Sequence, residues 1–397
     1  MSTDKPAPAH PARVAFYNDR RVRSFAYQFA LCAVVALLVY GAVSNAITHL
    51  QRAHIASGFG FWDQTAGFDI SQTLIHYSAQ SSTYGRAFWV GLLNTLLVAA
   101  LGIVFATILG FTIGISRLSK NWLLAKAAGG YVETIRNIPL LLQLLFWYNA
   151  VLKTLPEIRD SLKIDDAIFL NNRGLYLPRP IAGAGFGAVE IVFLVGAVAA
   201  IVFYRWARKR QERTGQQAPV VKVSLALVIG LPLVVLVAAG MPIHFESPQA
   251  GRFNITGGIE VLPEFAALLF GLSVYTAAFI AEVVRAGILA VSYGQVEAAY
   301  SLGLRPRPTL RMIVVPQAMR VIIPPLTSQY LNLTKNSSLA VAIGYPDLVQ
   351  VFTGTVLNQT GQAVEVVAIT MLVYLTISLA TSVAMNLYNR RMALVER

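Results

Sequence analysis

The stretch VYTAAFIAEVVRAGILAVSYGQVEAAYSLGLRPRPTLRMIVVP, residues 274–316, decides how this chain is built. It leaves an apolar segment of membrane length, crosses a polar and basic loop, and runs toward a second apolar segment. Within the loop stand Glu297, Ala298 and Ala299, then Gly303, then Ile313 and Pro316. Glu and Ala are strong helix formers, and a glycine supplies the permissive backbone on which a short helix ends. The spacing therefore predicts a short helix set between two transmembrane helices and closed at Gly303. The adjacent alanines would leave a low, smooth face that another protein can approach closely.

Working outward, apolar residues make up 56% of the 397 positions and charged residues 13%, with a mean hydropathy of +0.59. That balance predicts an all-α polytopic membrane protein. A span needs about 20 mostly apolar residues, and eight segments qualify: 26–49, 87–114, 131–152, 184–204, 223–241, 262–290, 321–344 and 364–388. Placing the N-terminus in the cytoplasm puts 21 basic residues on inside segments and 8 on outside ones. The positive-inside rule thus favours two cytoplasmic termini, which an even number of spans permits. The net charge of +13 is accordingly a topology signal and not a footprint for nucleic acid.

Between the spans the chain divides into a polar arm (1–25), a long outside loop (50–86) and two further outside loops (153–181 and 242–261). A short basic inside loop (205–222) and a tail (389–397) complete it. The loop over 50–86 interleaves Phe59, Phe61, Trp62, Phe68 and Tyr84 with polar residues, where a disordered linker would have few aromatics. It is expected to form an ordered cap.

Several chemistries are absent. Cys32, the single cysteine, lies in the first apolar segment, so neither an intramolecular disulfide nor a cysteine-based metal cluster can form. The histidines (His10, His49, His54, His76 and His244) have no metal-ligand spacing, and no Gly-x-Ser-x-Gly elbow or catalytic set is present. The first apolar stretch is too long for a signal-peptide core and lacks a closing cleavage site. A nucleotide-binding P-loop ends in Gly-Lys-Ser/Thr, and here no lysine follows a glycine. Any ATP-driven step would need a motor on another polypeptide.

Glu-Ala-Ala, three residues, Gly, nine residues, Ile, two residues and Pro resembles the EAA signature of bacterial ABC-importer permeases. The one departure is Val315 where that signature most often has Leu. Five segments are similar to the type I permease core of polar-amino-acid importers of the histidine/glutamine kind. "GLLNTLLVAALG" (91–102) resembles its first helix. "YVETIRNIPLLLQLLFWY" (131–148) resembles its second, with Asn137 and Ile138 in place of the usual Gly-Thr pair. Residues 274–304 look like the third helix running into the coupling loop (292–316), residues 314–348 like the fourth, and 364–388 like the fifth. The first span (26–49), the region 153–261 with its two extra helices, and the strings "GFGFWDQTAGFDISQTLI" and "YGRAFWVGLLNTL" look like the general L-amino-acid or glutamate/glutamine permease subfamily. On that division 87–152 carries the first two core helices and 262–388 the remaining three.

The resemblance implies an inner-membrane subunit that imports polar L-amino acids and breaks no bond itself. It implies two copies of a cytosolic ABC ATPase holding ATP and magnesium, a second related permease forming a heterodimer, and a periplasmic amino-acid-binding protein. It assigns ATPase coupling to Glu297, Ala298, Ala299, Gly303 and Pro316, with no cofactor, metal or catalytic residue in this chain. A secondary amino-acid transporter would share the composition but should show inverted repeats with interrupted helices and need no such loop. A membrane-embedded enzyme would need the catalytic set that is missing.

Charges inside spans are costly and usually face a partner, a bundle interior or an aqueous path. Glu282 and Arg285 are three apart on one helix and can touch, while Lys335 and Asn336 lie in the seventh segment beside Ser337 and Ser338. An amino acid offers a carboxylate and an ammonium, so Glu282, Arg285, Lys335, Asn336 and Ser337 form the candidate substrate path. The alternative for Glu282 and Arg285 is an ion pair internal to the bundle. Glu133 and Arg136 read as an interfacial pair or gate support, and Glu190 as an interfacial or helix-packing residue.

Overall fold

The computed structural model describes residues 20–52, 57–165, 167–251 and 254–392. Most of the expected arm (1–25) and the end of the tail (389–397) lie outside these residues. Helix α1 (Arg20–Arg52) comes first and α2 (Tyr84–Ser116) second. Helix α3 (Trp122–Asn137) is followed by α4 (Leu140–Leu145), which runs on as a π-helical turn through Leu152. Strands β1 (Leu162–Ile164), β2 (Ile168–Asn171), β3 (Gly174–Leu177) and β4 (Arg179–Ala182) precede a helical hairpin of α5 (Phe186–Thr214), α6 (Val220–Leu225) and α7 (Leu231–Ala238). Strands β5 (Ile243–Glu246), β6 (Gln249–Ala250), β7 (Ile255–Thr256) and β8 (Ile259–Val261) lead back to α8 (Pro263–Leu289). The chain closes with α9 (Tyr293–Ser301), α10 (Pro306–Thr309), α11 (Val315–Asn336), α12 (Leu357–Thr360) and α13 (Ala363–Met392).

Among the described residues six helices are long and apolar enough to cross a membrane, or up to seven if the bent pair α3–α4 counts as one span. Two of the eight expected segments take a different form. Residues 131–152 are not one straight helix: the chain turns by 103° between Trp122–Asn137 and Leu140–Leu152. Pro139 causes the break, because it has no N–H to continue the helix and biases Ile138 toward extended backbone. The side-chain amide of Gln143 donates from Nε2 to the freed carbonyls of both Ile135 and Ile138, at 2.9 Å each. In the second case, 321–344, α11 holds Arg320, Pro324, Pro325 and Lys335, and the chain continues past Asn336 as a 3₁₀ helix over Ser337–Ile343. Its polarity lowers its membrane signal and its packing supplies what hydropathy does not.

The centre of the bundle is the pair α2 and α8, which run parallel with backbones nearly touching. A Cβ at Gly110 would come within 2.6 Å of Ile280 and 3.1 Å of the Ala277 carbonyl; one at Gly114 would come within 2.7 Å of the Ala281 carbonyl. Lipid tails are as apolar as leucine, so membrane helices associate through such close van der Waals contact between small residues. Helix α11 completes this core, with Ala106, Ile280, Val284, Ala318, Ile322, Leu326 and Leu333 buried together.

Two features were not legible as secondary structure. The expected outside loops over 153–181 and 242–261 contain small antiparallel sheets: four strands in the order β1-β2-β3-β8, and the pairs β4-β5 and β6-β7. Residues 57–83 form the ordered cap expected from their aromatics. Phe61, Ala66, Tyr84, Phe88, Leu348, Phe352, Val356 and Val366 are buried as one cluster with Trp62, Phe68 and Tyr77 packed on it. The Tyr77 hydroxyl donates to the Phe68 carbonyl at 2.8 Å, and burial, with Asp69 nearby, pushes its pKa up to about 12.

Filling Gly110 with leucine should force α2 and α8 apart at a cost of about 1–3 kcal/mol. Thermal unfolding of the purified protein should show a lower midpoint for Gly110→Leu. Gly129→Ala, where no atom lies within 4 Å of the new methyl, should leave it unchanged or raised.

Candidate functional site

The loop between α8 and α11 folds as its residues require. Helix α9 begins after Ser292 and ends in a turn where the Gly303 N–H meets the Tyr300 carbonyl (2.9 Å) and the Leu304 N–H meets the Ala299 carbonyl (3.1 Å). This pair of bonds is a Schellman closure, and Gly303 adopts the left-handed φ of +77° that it demands. Pro316 lies where a π-helical turn over Leu310–Val314 runs unbroken into α11, so its missing N–H falls at the change from π to α winding. Glu297 and Ala298 are exposed, whereas Ala299 is 1% exposed and packs inward. The alanines therefore point apart and do not share the smooth face that their adjacency suggests: one supports the helix and the other lies on its open side. That open side carries large apolar groups, Tyr293, Tyr300 and Leu302, the last 82% exposed, with Leu310 and Met312 beside them.

Two turns before this loop, Glu282 is gripped from both sides. Arg285 donates from Nη2 to Oε1 at 2.6 Å and from Nε to both oxygens at 3.2 and 3.3 Å. Arg117, at the end of α2, donates from Nη1 to Oε2. Both carboxylate oxygens are thus engaged by guanidinium groups, an arrangement that locks the ends of α2 and α8 together. Arg117 is not among the candidate residues read from the sequence; its position shortly after the 87–114 run is the available signal. Arg136 lies over the ring of Phe279 at 5.0 Å, so the guanidinium of the expected Glu133–Arg136 pair instead faces an aromatic side chain of α8.

The remaining path candidates stand elsewhere. Lys335, Asn336 and Ser337 sit at the far end of α11, 22 residues and about 33 Å of helix from the loop. The structure does not bring them together with Glu282 and Arg285. Lys335 is exposed and Asn336 half-buried, while Ser337 is buried and donates its hydroxyl to the Thr334 carbonyl at 2.7 Å. Beyond them the chain is irregular: a 3₁₀ turn, Gly344 at φ +76°, then a π-helix over Val349–Val356. Membrane proteins tolerate such backbone only where it is buried in protein or lines a cavity. Here Asn94 donates to the carbonyls of Gln72 and Pro346 at 2.9 Å each, and the Leu348 N–H donates to Thr95 Oγ1 at 3.0 Å. Asp347 is wholly buried. Asn94, Thr95 and Asp347 were not singled out in the sequence; a carboxylate in so apolar a neighbourhood was the signal.

The chain is thus a bundle of long apolar helices with a short helix hung between two of its core helices. Residues 218–394 match the family described as binding-protein-dependent transport system inner membrane component, and this chain belongs to that family. It is 54% identical to the general L-amino acid transport system permease protein AapQ of Rhizobium johnstonii, covering 97% of this chain and 96% of that protein. It is also 54% identical to the putative amino-acid ABC transporter permease protein YhdX of Escherichia coli, over 96% and 97% of the two chains. Over their full lengths it is 42% identical to the glutamate/glutamine/aspartate/asparagine transport system permease protein BztB of Rhodobacter capsulatus. Among solved structures, an amino acid ABC transporter aligns at 22% identity and a TM-score of 0.46, covering 78% of this chain and 95% of the other.

If the Arg117–Glu282–Arg285 cluster is a brace and not a substrate contact, Glu282→Gln should lower stability by about 1–3 kcal/mol. Adding Arg285→Met should recover part of the loss, since no guanidinium is then left facing a neutral amide from its own helix. Thermal unfolding measures the first effect. Uptake with competing acidic, neutral and basic amino acids should show unchanged preference in every folded variant.

Proposed function

We propose that this chain is the permease subunit of an ATP-driven ABC importer that carries polar L-amino acids, with glutamate and glutamine among them, across the bacterial inner membrane. The carrying observation is the loop helix α9: a short, Schellman-closed helix that presents Tyr293, Tyr300 and Leu302 to solvent directly between two core helices. Exposed apolar patches of this kind mark interaction sites. With the basic loops inside, α9 faces the cytoplasm, both termini lie there too, and a separate ATPase with its ATP and magnesium docks on Glu297, Ala298, Gly303 and their neighbours. Ala299 and Pro316 support that surface from behind. The substrate class comes from the relatives' names and the full-length similarity to them.

The partners follow from the same reading: two ATPase copies, a second related permease and a periplasmic amino-acid-binding protein, with the bilayer as solvent and no nucleic acid. Closure of the motors moves α9, and the differential contacts it makes in two states are what open and close the path. Lys335, Asn336 and Ser337 form the substrate path at the far end of α11, and Glu282 and Arg285 transmit the motion. The cap over 57–83 and the sheets of the insertion form the surface that receives the binding protein. The chain itself breaks no bond. Membership of the family also favours this reading over a secondary transporter, whose inverted repeats the sequence does not display.

Gly303→Val would place a β-branched residue at φ +77°, a strain of about 1–3 kcal/mol in the turn that ends α9, and Glu297→Lys would reverse a charge on its exposed face. Both variants should insert normally yet lose binding-protein-stimulated ATP hydrolysis when reconstituted with their partners. Normal stimulation in both would overturn the docking assignment. Native mass spectrometry of the purified complex should find one copy of this chain with one related permease; two copies of this chain and no other permease would refute the heterodimer.

A further inference from the structure

The molecule holds a buried carboxylate that neither the loop nor the brace uses. Asp347 is 0% exposed and follows Tyr345 and Pro346 in the tight turn opened by Gly344. Its Oδ1 accepts from the Gln350 N–H at 2.8 Å and its Oδ2 from the Tyr374 hydroxyl at 3.2 Å, both neutral donors. Burying a carboxylate costs several kcal/mol unless it is well hydrogen-bonded; here the bond from the Gln350 N–H caps the helical segment that follows, and the Tyr374 hydroxyl engages the other oxygen. The turn around it is held from every side. Asn94 holds the Pro346 carbonyl, Thr95 holds the Leu348 N–H, and the Tyr345 hydroxyl reaches the Asn94 carbonyl at 3.4 Å. Gly91 lets α2 approach so closely that a Cβ there would lie 3.1 Å from Leu348 Cα and 3.2 Å from the Asp347 carbonyl oxygen.

Tyr374 is the link outward. Its hydroxyl donates to Asp347 Oδ2 at 3.2 Å, and the segment that carries Asp347 is joined back to the 3₁₀ turn after α11 by the Tyr345 N–H on the Ala340 carbonyl at 3.2 Å. Ser337 begins the 3₁₀ turn directly after Lys335 and Asn336. One hydroxyl of α13 therefore holds the buried carboxylate of the segment on which the 3₁₀ turn after α11 closes. We propose that Asp347 is a positioning residue for transport: through Tyr374 it fixes where the turn bearing Lys335, Asn336 and Ser337 sits. This rests on the assignment of those three residues to the substrate path.

The test uses the whole transporter, reconstituted in liposomes with its ATPase, partner permease and saturating loaded binding protein, so that the binding protein's own preference is fixed. The readout is amino acid carried per ATP hydrolysed, for an acidic, a neutral and a basic amino acid. Asp347→Asn keeps the volume but turns an amide toward one of the two donors, and Tyr374→Phe removes a single hydroxyl. Each should lower the amount carried per ATP several-fold and should alter the ratio between the amino acids. The double variant should be no worse than either alone, since both break one link. Asn336→Ala serves as the reference for the path. If it changes the ratios while Asp347→Asn and Tyr374→Phe do not, the positioning role is overturned alone. A silent Asn336→Ala overturns the path assignment and the proposal with it. If Asp347→Asn fails to assemble, Tyr374→Phe decides, and an equal fall of ATP hydrolysis and transport in it would mark a merely structural contact and overturn the proposal.

Discussion

The core of the bundle is packed against a glycine-rich side of α2. Gly114 and Gly110 admit the backbone of α8, Gly102 admits Leu333 of α11, and Gly91 admits the turn at Leu348. In a bilayer no water-driven force favours one helix pair over another, and close packing of small residues must supply both affinity and register. A parallel pair in van der Waals contact over this length leaves little freedom to slide. It therefore sets where Arg117 meets Glu282, and it sets the height at which the irregular segment after α11 lies against Asn94 and Thr95.

The second constraint is the backbone itself. Where the chain departs from helix, it has been given side chains that do the work of the missing ladder. At the Pro139 break a single amide, Gln143, takes two carbonyls; at the 344–348 turn Asn94, Thr95 and Asp347 divide the task. Each of these is a buried polar residue that would be expensive in lipid. Their polar groups meet neighbouring backbone left unsatisfied in the matching place, although the buried side-chain oxygens of Asn94 and Gln143 find no hydrogen-bond partner among the described residues. Breaks and polar residues in this protein are thus one feature, read from two directions.

That coupling explains which parts could be read from the residues alone. Long apolar runs such as 87–114 and 262–290 mark helices directly, because length and hydropathy suffice. The end of α9 at Gly303 was legible as well, since a left-handed turn has few alternatives to glycine. The bend at Pro139 was harder, for proline inside an apolar run is tolerated in membranes and the run remained long enough to span. The short strands of the insertion, three or four residues each, carry too little alternation to stand out from a loop. Glu282 and Arg285 were recognised as neighbours from their spacing, but Arg117 is distant in sequence from both and reaches them only through the α2–α8 contact. Asp347 depends in the same way on residues scattered from Asn94 to Tyr374.

The insertion between α4 and α8 begins and ends in the same sheet. Strand β3, laid down before the extra helical hairpin, pairs with β8, made after it, in register from Leu175↔Val261 to Leu177↔Ile259, and Tyr176 bonds Glu260 across the seam at 2.8 Å. Within the hairpin, Gly196 of α5 lies against the Leu227 carbonyl, so its two arms pack on each other. The chain thus departs from and returns to the core at neighbouring points, which is the geometry that lets one folding unit be spliced into another without disturbing it. Enlargement of this permease has the character of a parenthesis. A sentence of core helices is interrupted and closed again at the mark where it was opened, and its syntax on either side is unchanged.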